Sequence, residues 1–153
     1  TAEPPTVIRG NASEIMALYG DQSKTKGVDS ATTSDRAMDI ARKLSNLHGC
    51  VVCVSGETDY IVDQAEIIKI KNGHPMMPKV TGLGCTASAL CGAFAAVEKS
   101  AFDATAQAMA VMGIAGELAA GSAKGPGSLQ MHFLDYLYRL SENDIAGRLK
   151  VES

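Results

Sequence analysis

Lys79-Val80-Thr81-Gly82-Leu83-Gly84-Cys85 runs directly into an apolar, small-residue segment from Thr86 to Val97. Two glycines one residue apart let a backbone turn tightly and approach a ligand closely. The run after them has the content of a buried helix, so the turn is expected at a helix N-terminus. Unpaired N–H groups and the positive end of the macrodipole favour an anion there. Cys85 stands at the same positive end, which is expected to enrich its thiolate. A phosphate-sized anion site beside an activated side chain is the core of a phosphoryl-transfer centre.

Two nucleotide motifs compete for the same residues. Gly82-Leu83-Gly84-Cys85-Thr86-Ala87 matches GxGxxA, but that fingerprint needs a buried strand leading straight in and an acidic strand end about twenty residues on. The lead-in here carries Pro75 and Pro78, and the downstream region reads as helical throughout. No Gly-Lys-Ser/Thr follows the glycines, which excludes a Walker A loop. A turn that merely joins a loop to a buried helix is the plain alternative.

Outward from the turn, the chain alternates elements in its first half and turns helical in its second. Thr6–Ile8 is a short β-prone run, and Asn11 or Ser13 caps a short helix ending near Leu18. Gly20–Thr33 is a polar loop containing Lys26-Gly27-Val28-Asp29-Ser30. Ala37, Met38, Ile40, Ala41, Leu44 and Leu47 give a helix over 34–47. Cys50–Val54 is a core strand, and Tyr60–Val62 and Glu66–Ile70 form a hairpin turning at Asp63-Gln64. Helices follow over 84–98, 103–120 and 128–141, with Gly125-Pro126-Gly127 breaking the chain before the last. The segment 142–153 reads as a polar, frayed tail. The pattern is a single α/β domain over 1–153, a layered sandwich with helices on both faces of a central sheet.

The 153 residues are 46% hydrophobic, enough for a substantial core. A net charge of −3, no basic block and no tryptophan disfavour nucleic-acid or anionic-membrane binding. No apolar run reads as a membrane span, and the first residues lack the layout of a signal peptide. They read as an interior point of a longer chain or a processed start. Cys50 and Cys53 have CxxC spacing, yet on a strand they point to opposite faces and cannot share a ligand. Buried, reduced cysteines of a cytoplasmic protein are expected. His48, His74 and His132 are isolated from one another at metal-ligand spacing.

Two further constellations carry chemistry. In Arg9-Gly10-Asn11-Ala12-Ser13-Glu14, Asn11 and Glu14 could face a hydrated Mg²⁺ carried by a nucleotide, with Arg9 clamping phosphate. The same spacing also makes a plain capping box. In Val54-Ser55-Gly56-Glu57, Ser55 lies beyond the carboxyl end of the best strand, where α/β sheets bind ligands. It is a phosphate or ribose contact, or a simple turn serine.

Taken together and in order, these segments resemble the hydroxyethylthiazole kinases of the ribokinase-like superfamily. The resemblance rests on Val7-Ile8-Arg9-Gly10-Asn11-Ala12-Ser13-Glu14-Ile15, Lys26-Gly27-Val28-Asp29-Ser30, Val54-Ser55-Gly56-Glu57-Thr58-Asp59-Tyr60 and Val80-Thr81-Gly82-Leu83-Gly84-Cys85. Gly125-Pro126-Gly127-Ser128 followed by Phe133-Leu134-Asp135 completes it. It implies a ribokinase-like three-layer α/β/α sandwich that phosphorylates the primary alcohol of 4-methyl-5-(2-hydroxyethyl)thiazole with ATP, in thiamine salvage.

By the same resemblance, Arg9 and Ser55 contact ATP, and Glu14 helps hold Mg²⁺ through its water shell. Gly82 lines the place where alcohol meets γ-phosphate, and the N–H groups of the turn over Gly82, Gly84 and Cys85 form an anion hole. Cys85 stands where most ribokinase-like enzymes place a catalytic aspartate. Threonine is usual in the family where Ser55 and Leu83 stand here. The resemblance further implies trimers with sites between subunits, and an upstream portion carrying more sheet strands, a thiazole-binding segment and another acidic residue. This chain then corresponds to the C-terminal half or slightly more of a subunit and is expected to be inactive alone. A hydroxymethylpyrimidine-type kinase, or a non-catalytic nucleotide-binding fragment, are the competing functions.

Overall fold

A computed structural model describes residues 3–20 and 30–153, with side chains from Asp35 onward in the second segment. Five strands and six α-helices follow in the order β1 (Val7–Asn11), α1 (Ala12–Leu18), α2 (Ser30–His48), β2 (Val51–Ser55), β3 (Asp59–Asp63), β4 (Glu66–Ile70), α3 (Leu83–Ala95), α4 (Ala101–Ser122), α5 (Pro126–Arg139), α6 (Glu142–Arg148) and β5 (Val151–Glu152). The polar motif from Lys26 to Asp29 lies outside the described residues; Ser30, its last residue, already opens α2.

The strands form one sheet in the order β1-β2-β3-β4-β5. β1 and β2 are parallel, and the remaining pairs are antiparallel. Period-2 alternation divides the side chains between two cores. Cys50, Val52, Val54 and Val62 pack with Ile15, Met16, Ala37, Ile40 and Leu44 of α1 and α2. Val51, Cys53, Ile61 and Ile70 pack on the other face against α3, α4 and α5, with Phe133 and Leu129 fully buried there. Cys50 and Cys53 therefore do sit on opposite faces, and all four cysteines are free thiols. The expected three-layer α/β/α sandwich is present.

α4 is hydrophobic nearly all round because it is enclosed by α3, α5 and the sheet. Its Met109, Ile114 and Ala115 are buried. Among the described residues no helix is long and apolar enough to cross a membrane.

The C-terminal segment departs from expectation. Instead of fraying after Glu142, it forms α6, capped by Ser141 and Asp144, and then β5. β5 pairs with β4 through Lys69↔Glu152 and Ile70↔Val151. Buried Asn72 ties it down, accepting from Lys150 N–H at 2.8 Å and donating to the Arg148 carbonyl at 2.8 Å. Polar composition hid this segment, since its order comes from pairing with residues some eighty positions away.

Candidate functional site

The parallel register sets the site. Arg9 lies opposite Cys53 and Asn11 opposite Ser55, so the carboxyl ends of β1 and β2 finish side by side. Ligands of open α/β sheets lie beyond such ends. Arg9 shares a sheet face with Val7, and therefore leans toward the α3–α4 layer rather than toward α1.

Its guanidinium joins three parts of the chain. Nη2 donates to Ser55 Oγ at 2.8 Å, and Nη1 donates to the Gly84 carbonyl at 3.0 Å. Ser55 Oγ in turn donates to the Gly10 carbonyl at 3.2 Å. Arg9 Nε is buried and has no hydrogen-bond acceptor. A Cβ on Gly84 would stand 3.3 Å from Arg9 Nη1, so glycine there leaves room for the guanidinium.

The glycine turn opens α3 as expected. Gly82 is the N-cap, with φ 94°, a left-handed conformation that glycine adopts without strain. It offers no capping side chain, so the first-turn N–H groups of Leu83, Gly84 and Cys85 lack intrahelical acceptors. The Thr86 N–H starts the helix by bonding the Gly82 carbonyl at 3.0 Å. Leu83 is buried and anchors the turn in the core, while Cys85 is exposed.

Beside this turn is a cavity of about 750 Å³, within the usual range for a small-molecule site. Arg9, Asn11, Ser55, Asp59 and Gly84 supply its polar wall. Met77, Pro78, Val80, Ala87, Met109 and Met112 supply an apolar one.

Glu14 is at the third position of α1, and its Oε2 accepts the Asn11 N–H at 2.8 Å while Asn11 Oδ1 accepts the Glu14 N–H at 3.0 Å. This is a complete capping box. The box does not consume the carboxylate, because its other oxygen stays available at an exposed position.

The sequence matches the profile of the hydroxyethylthiazole kinase family over residues 1–143. The chain belongs to that family. The hydroxyethylthiazole kinase of Syntrophus aciditrophicus is 62% identical over 148 residues, covering 96% of this chain and 55% of that protein. That of Leptospira biflexa is 51% identical over 148 residues, covering 97% and 55%. The solved hydroxyethylthiazole kinase from Pyrococcus horikoshii superposes with a TM-score of 0.83 at 36% identity, over 95% of this chain and 54% of that one. The ribokinase-like architecture is thereby established, and the chain spans about half the length of the curated relatives it matches.

Of the residues singled out from the sequence, Arg9, Ser55 and Gly84 meet through direct hydrogen bonds. Glu14 is linked to them through Gly10, against which its side chain packs. Gly82 and Cys85 flank Gly84 in the same turn but do not line the cavity. Among the described residues no cluster of three or more His, Cys, Asp or Glu gathers to hold a metal ion.

Sequence reasoning missed the role of Asp59, which is 7% exposed and lines the cavity. Burial raises its carboxyl from the ordinary 3.8 to about 6, against the Gly56 hydrogen bond and the Arg9 charge, which both pull it down. An acidic residue opening the apolar strand Tyr60-Ile61-Val62 was the available signal. The Met109–Met112 wall was missed as well, because a methionine inside a helical apolar stripe looks like core.

Proposed function

We propose that this chain carries the nucleotide-handling part of an enzyme that transfers the γ-phosphoryl group of ATP to the primary alcohol of 4-methyl-5-(2-hydroxyethyl)thiazole. Family membership supports the reaction class. The observation that carries the reading is the Arg9 hub, where one guanidinium joins the end of β1, Ser55 of β2 and the first turn of α3 on the wall of a ligand-sized cavity.

In this reading the phosphates lie along Arg9 and the first-turn N–H groups of α3, and the base takes the Met109–Met112 side. The alcohol oxygen forms a bond to the γ-phosphorus as the bond to the bridging oxygen breaks, releasing ADP. The sulfur of Cys85 accepts or orients the alcohol proton. Phosphoryl transfer depends mostly on alignment and charge stabilisation. Arg9 and the α3 N–H groups therefore carry more of the catalysis than Cys85, whose general-base share is ~10²–10⁴-fold.

Mg²⁺ fits as a passenger of the nucleotide. Glu14 is a lone exposed carboxylate with one oxygen engaged in its capping box, suited to contact a cation through water and unsuited to cage one. When bound, the cation neutralises phosphate charge; Glu14 orients its water shell. The reading extends to an upstream portion supplying the thiazole-binding segment and another acidic residue, and to trimers with sites between copies, on the strength of the family resemblance. The working place is the cytoplasm.

The test is product identification. The full-length protein is incubated with Mg-ATP and, separately, the hydroxyethylthiazole and hydroxymethylpyrimidine alcohols, with mass detection of phosphate esters. Ester on the thiazole is expected. Ester on the pyrimidine alone, or on neither, overturns the assignment.

A further inference from the structure

Asp59 opens β3 on the same sheet face as Ile61 and Cys53, the face to which Arg9 belongs. Its Oδ1 accepts the Gly56 N–H at 2.9 Å and so closes the turn that begins at Ser55. Ser55 is the residue that Arg9 Nη2 grips. Gly56 is the hydrogen-bond donor to Asp59 among the described residues, which leaves the second carboxylate oxygen without one.

The charged and titratable groups around it can be named element by element. Arg9 comes from β1, Cys53 from β2 and Cys91 from α3, and all three act on it electrostatically or share its pocket. Glu57 in the turn, and Lys71 and His74 after β4, line the same cavity. α4 contributes Met109 and Met112, which carry no charge. Arg9 is thus the cation that shares Asp59's face of the sheet. Its donors meet a hydroxyl and a carbonyl, neither of them charged.

We propose that Asp59 is a positioning residue of the nucleotide site, serving as counter-charge to Arg9 and taking up a proton when the phosphates of a nucleoside triphosphate reach that arginine. The inference rests on the nucleotide reading above. An incoming phosphate chain brings several negative charges to the guanidinium that supports the buried carboxylate. Attraction to Arg9 is then shared, repulsion is added, and burial already disfavours the charged form. The proton comes from solvent and binds the free oxygen, so Oδ1 keeps the Gly56 N–H and the turn holds.

With its carboxyl near 6 in the free protein, Asp59 is about nine-tenths ionised at pH 7, leaving room to gain most of a proton. Titration calorimetry reads this directly. Full-length protein with Mg²⁺ is titrated with adenylyl imidodiphosphate, a non-hydrolysable ATP analogue, in buffers of different ionisation enthalpy. The wild type should take up more than about half a proton per nucleotide at pH 7. Asp59→Asn should take up at least that much less than the wild type; the ligand is the same in both, so its own protonation cancels. Adenosine, which lacks phosphates, should bring no uptake.

Equal uptake by the wild type and Asp59→Asn overturns the proposal. Should Asp59→Asn not fold, Asp59→Ser takes its place, and the difference in uptake from the wild type must shrink at pH 5, where Asp59 is already mostly protonated. A difference between wild type and variant that stays constant from pH 5 to pH 8 also overturns it. Thiazole phosphorylation without the uptake sinks the Asp59 role alone. Uptake with no thiazole ester sinks the substrate alone, and no nucleotide binding sinks both.

Discussion

Arg9 Nη2 lies 2.8 Å from Ser55 Oγ across two parallel strands, 46 positions apart in sequence. The hydroxyl is both acceptor from Arg9 and donor to the Gly10 carbonyl, so it fixes the guanidinium at the strand ends. Ser55→Thr keeps the hydroxyl and should preserve ATP affinity. Ser55→Ala removes it, and loss of a hydrogen bond to a charged group costs about 1.5–3 kcal/mol, or roughly 10–100-fold in the Kd for ATP. Arg9→Lys cannot reach Ser55 and Gly84 together and should weaken ATP at least as much. Equilibrium binding of Mg-ATP to the three full-length variants checks the order.

Gly113 of α4 lies against Asn72. A Cβ there would stand 2.6 Å from Asn72 backbone atoms, which have no rotamer to move into. Gly113→Ala should therefore destabilise by about 1–3 kcal/mol or more. The shift also pushes the cavity wall, so a lowered melting temperature should accompany weaker ATP binding.

Asp59 makes the fold pH-sensitive in an unusual direction. Its carboxyl is raised to about 6 from 3.8, so between these values the native state binds more protons than the unfolded chain. Stability then falls as pH rises through that window, by roughly 3 kcal/mol at most, and stays lower above it. Asp59→Asn can still accept the Gly56 N–H without carrying charge. Its melting temperature should exceed that of the wild type by several degrees at pH 8, with the gap closing by pH 4. A variant less stable than the wild type at pH 8 contradicts this.

Glu117 clamps the C-terminal segment. Its Oε1 accepts from Asn72 Nδ2 and Gly73 N–H at 3.1 Å each and from Lys150 Nζ at 2.9 Å. Burial pushes the carboxyl up, but the bonds from Lys150, Gly73 and Asn72 outweigh it and hold the carboxyl below its ordinary value. The stability it contributes is present above that ordinary value and is lost as pH falls through the lowered one. Glu117→Ala strands two donors in part-buried surroundings, at about 1–3 kcal/mol each. Hydrogen exchange should show residues 149–152 losing protection before the rest of the sheet.

The periodicity of the sequence placed β2, the β3–β4 hairpin and the helices α3, α4 and α5 within a few residues. α2 begins at Ser30 rather than 34 because its first turn is polar and shows no apolar period. β5 was illegible, since two exposed residues form a strand only by borrowing the β4 edge. At the site, the glycine turn was readable because Gly82 and Gly84 answer local demands. The bond from Arg9 to Gly84, 75 positions away, was not, nor was the burial of Asp59. Both arise from the sheet register, which sets residues of distant segments on one face.

The most direct measurement follows label from γ-³²P ATP into the thiazole alcohol with the full-length wild type, Arg9→Met and Cys85→Ala. The wild type should transfer label. Arg9→Met should raise the KM for ATP and lower kcat, as loss of a phosphate contact requires. Cys85 is exposed at the α3 N-terminus, so Cys85→Ala should fold normally and lower kcat by ~10²–10⁴-fold with ATP affinity nearly unchanged. No transfer to the thiazole by the wild type, or full transfer by Arg9→Met, would contradict the account.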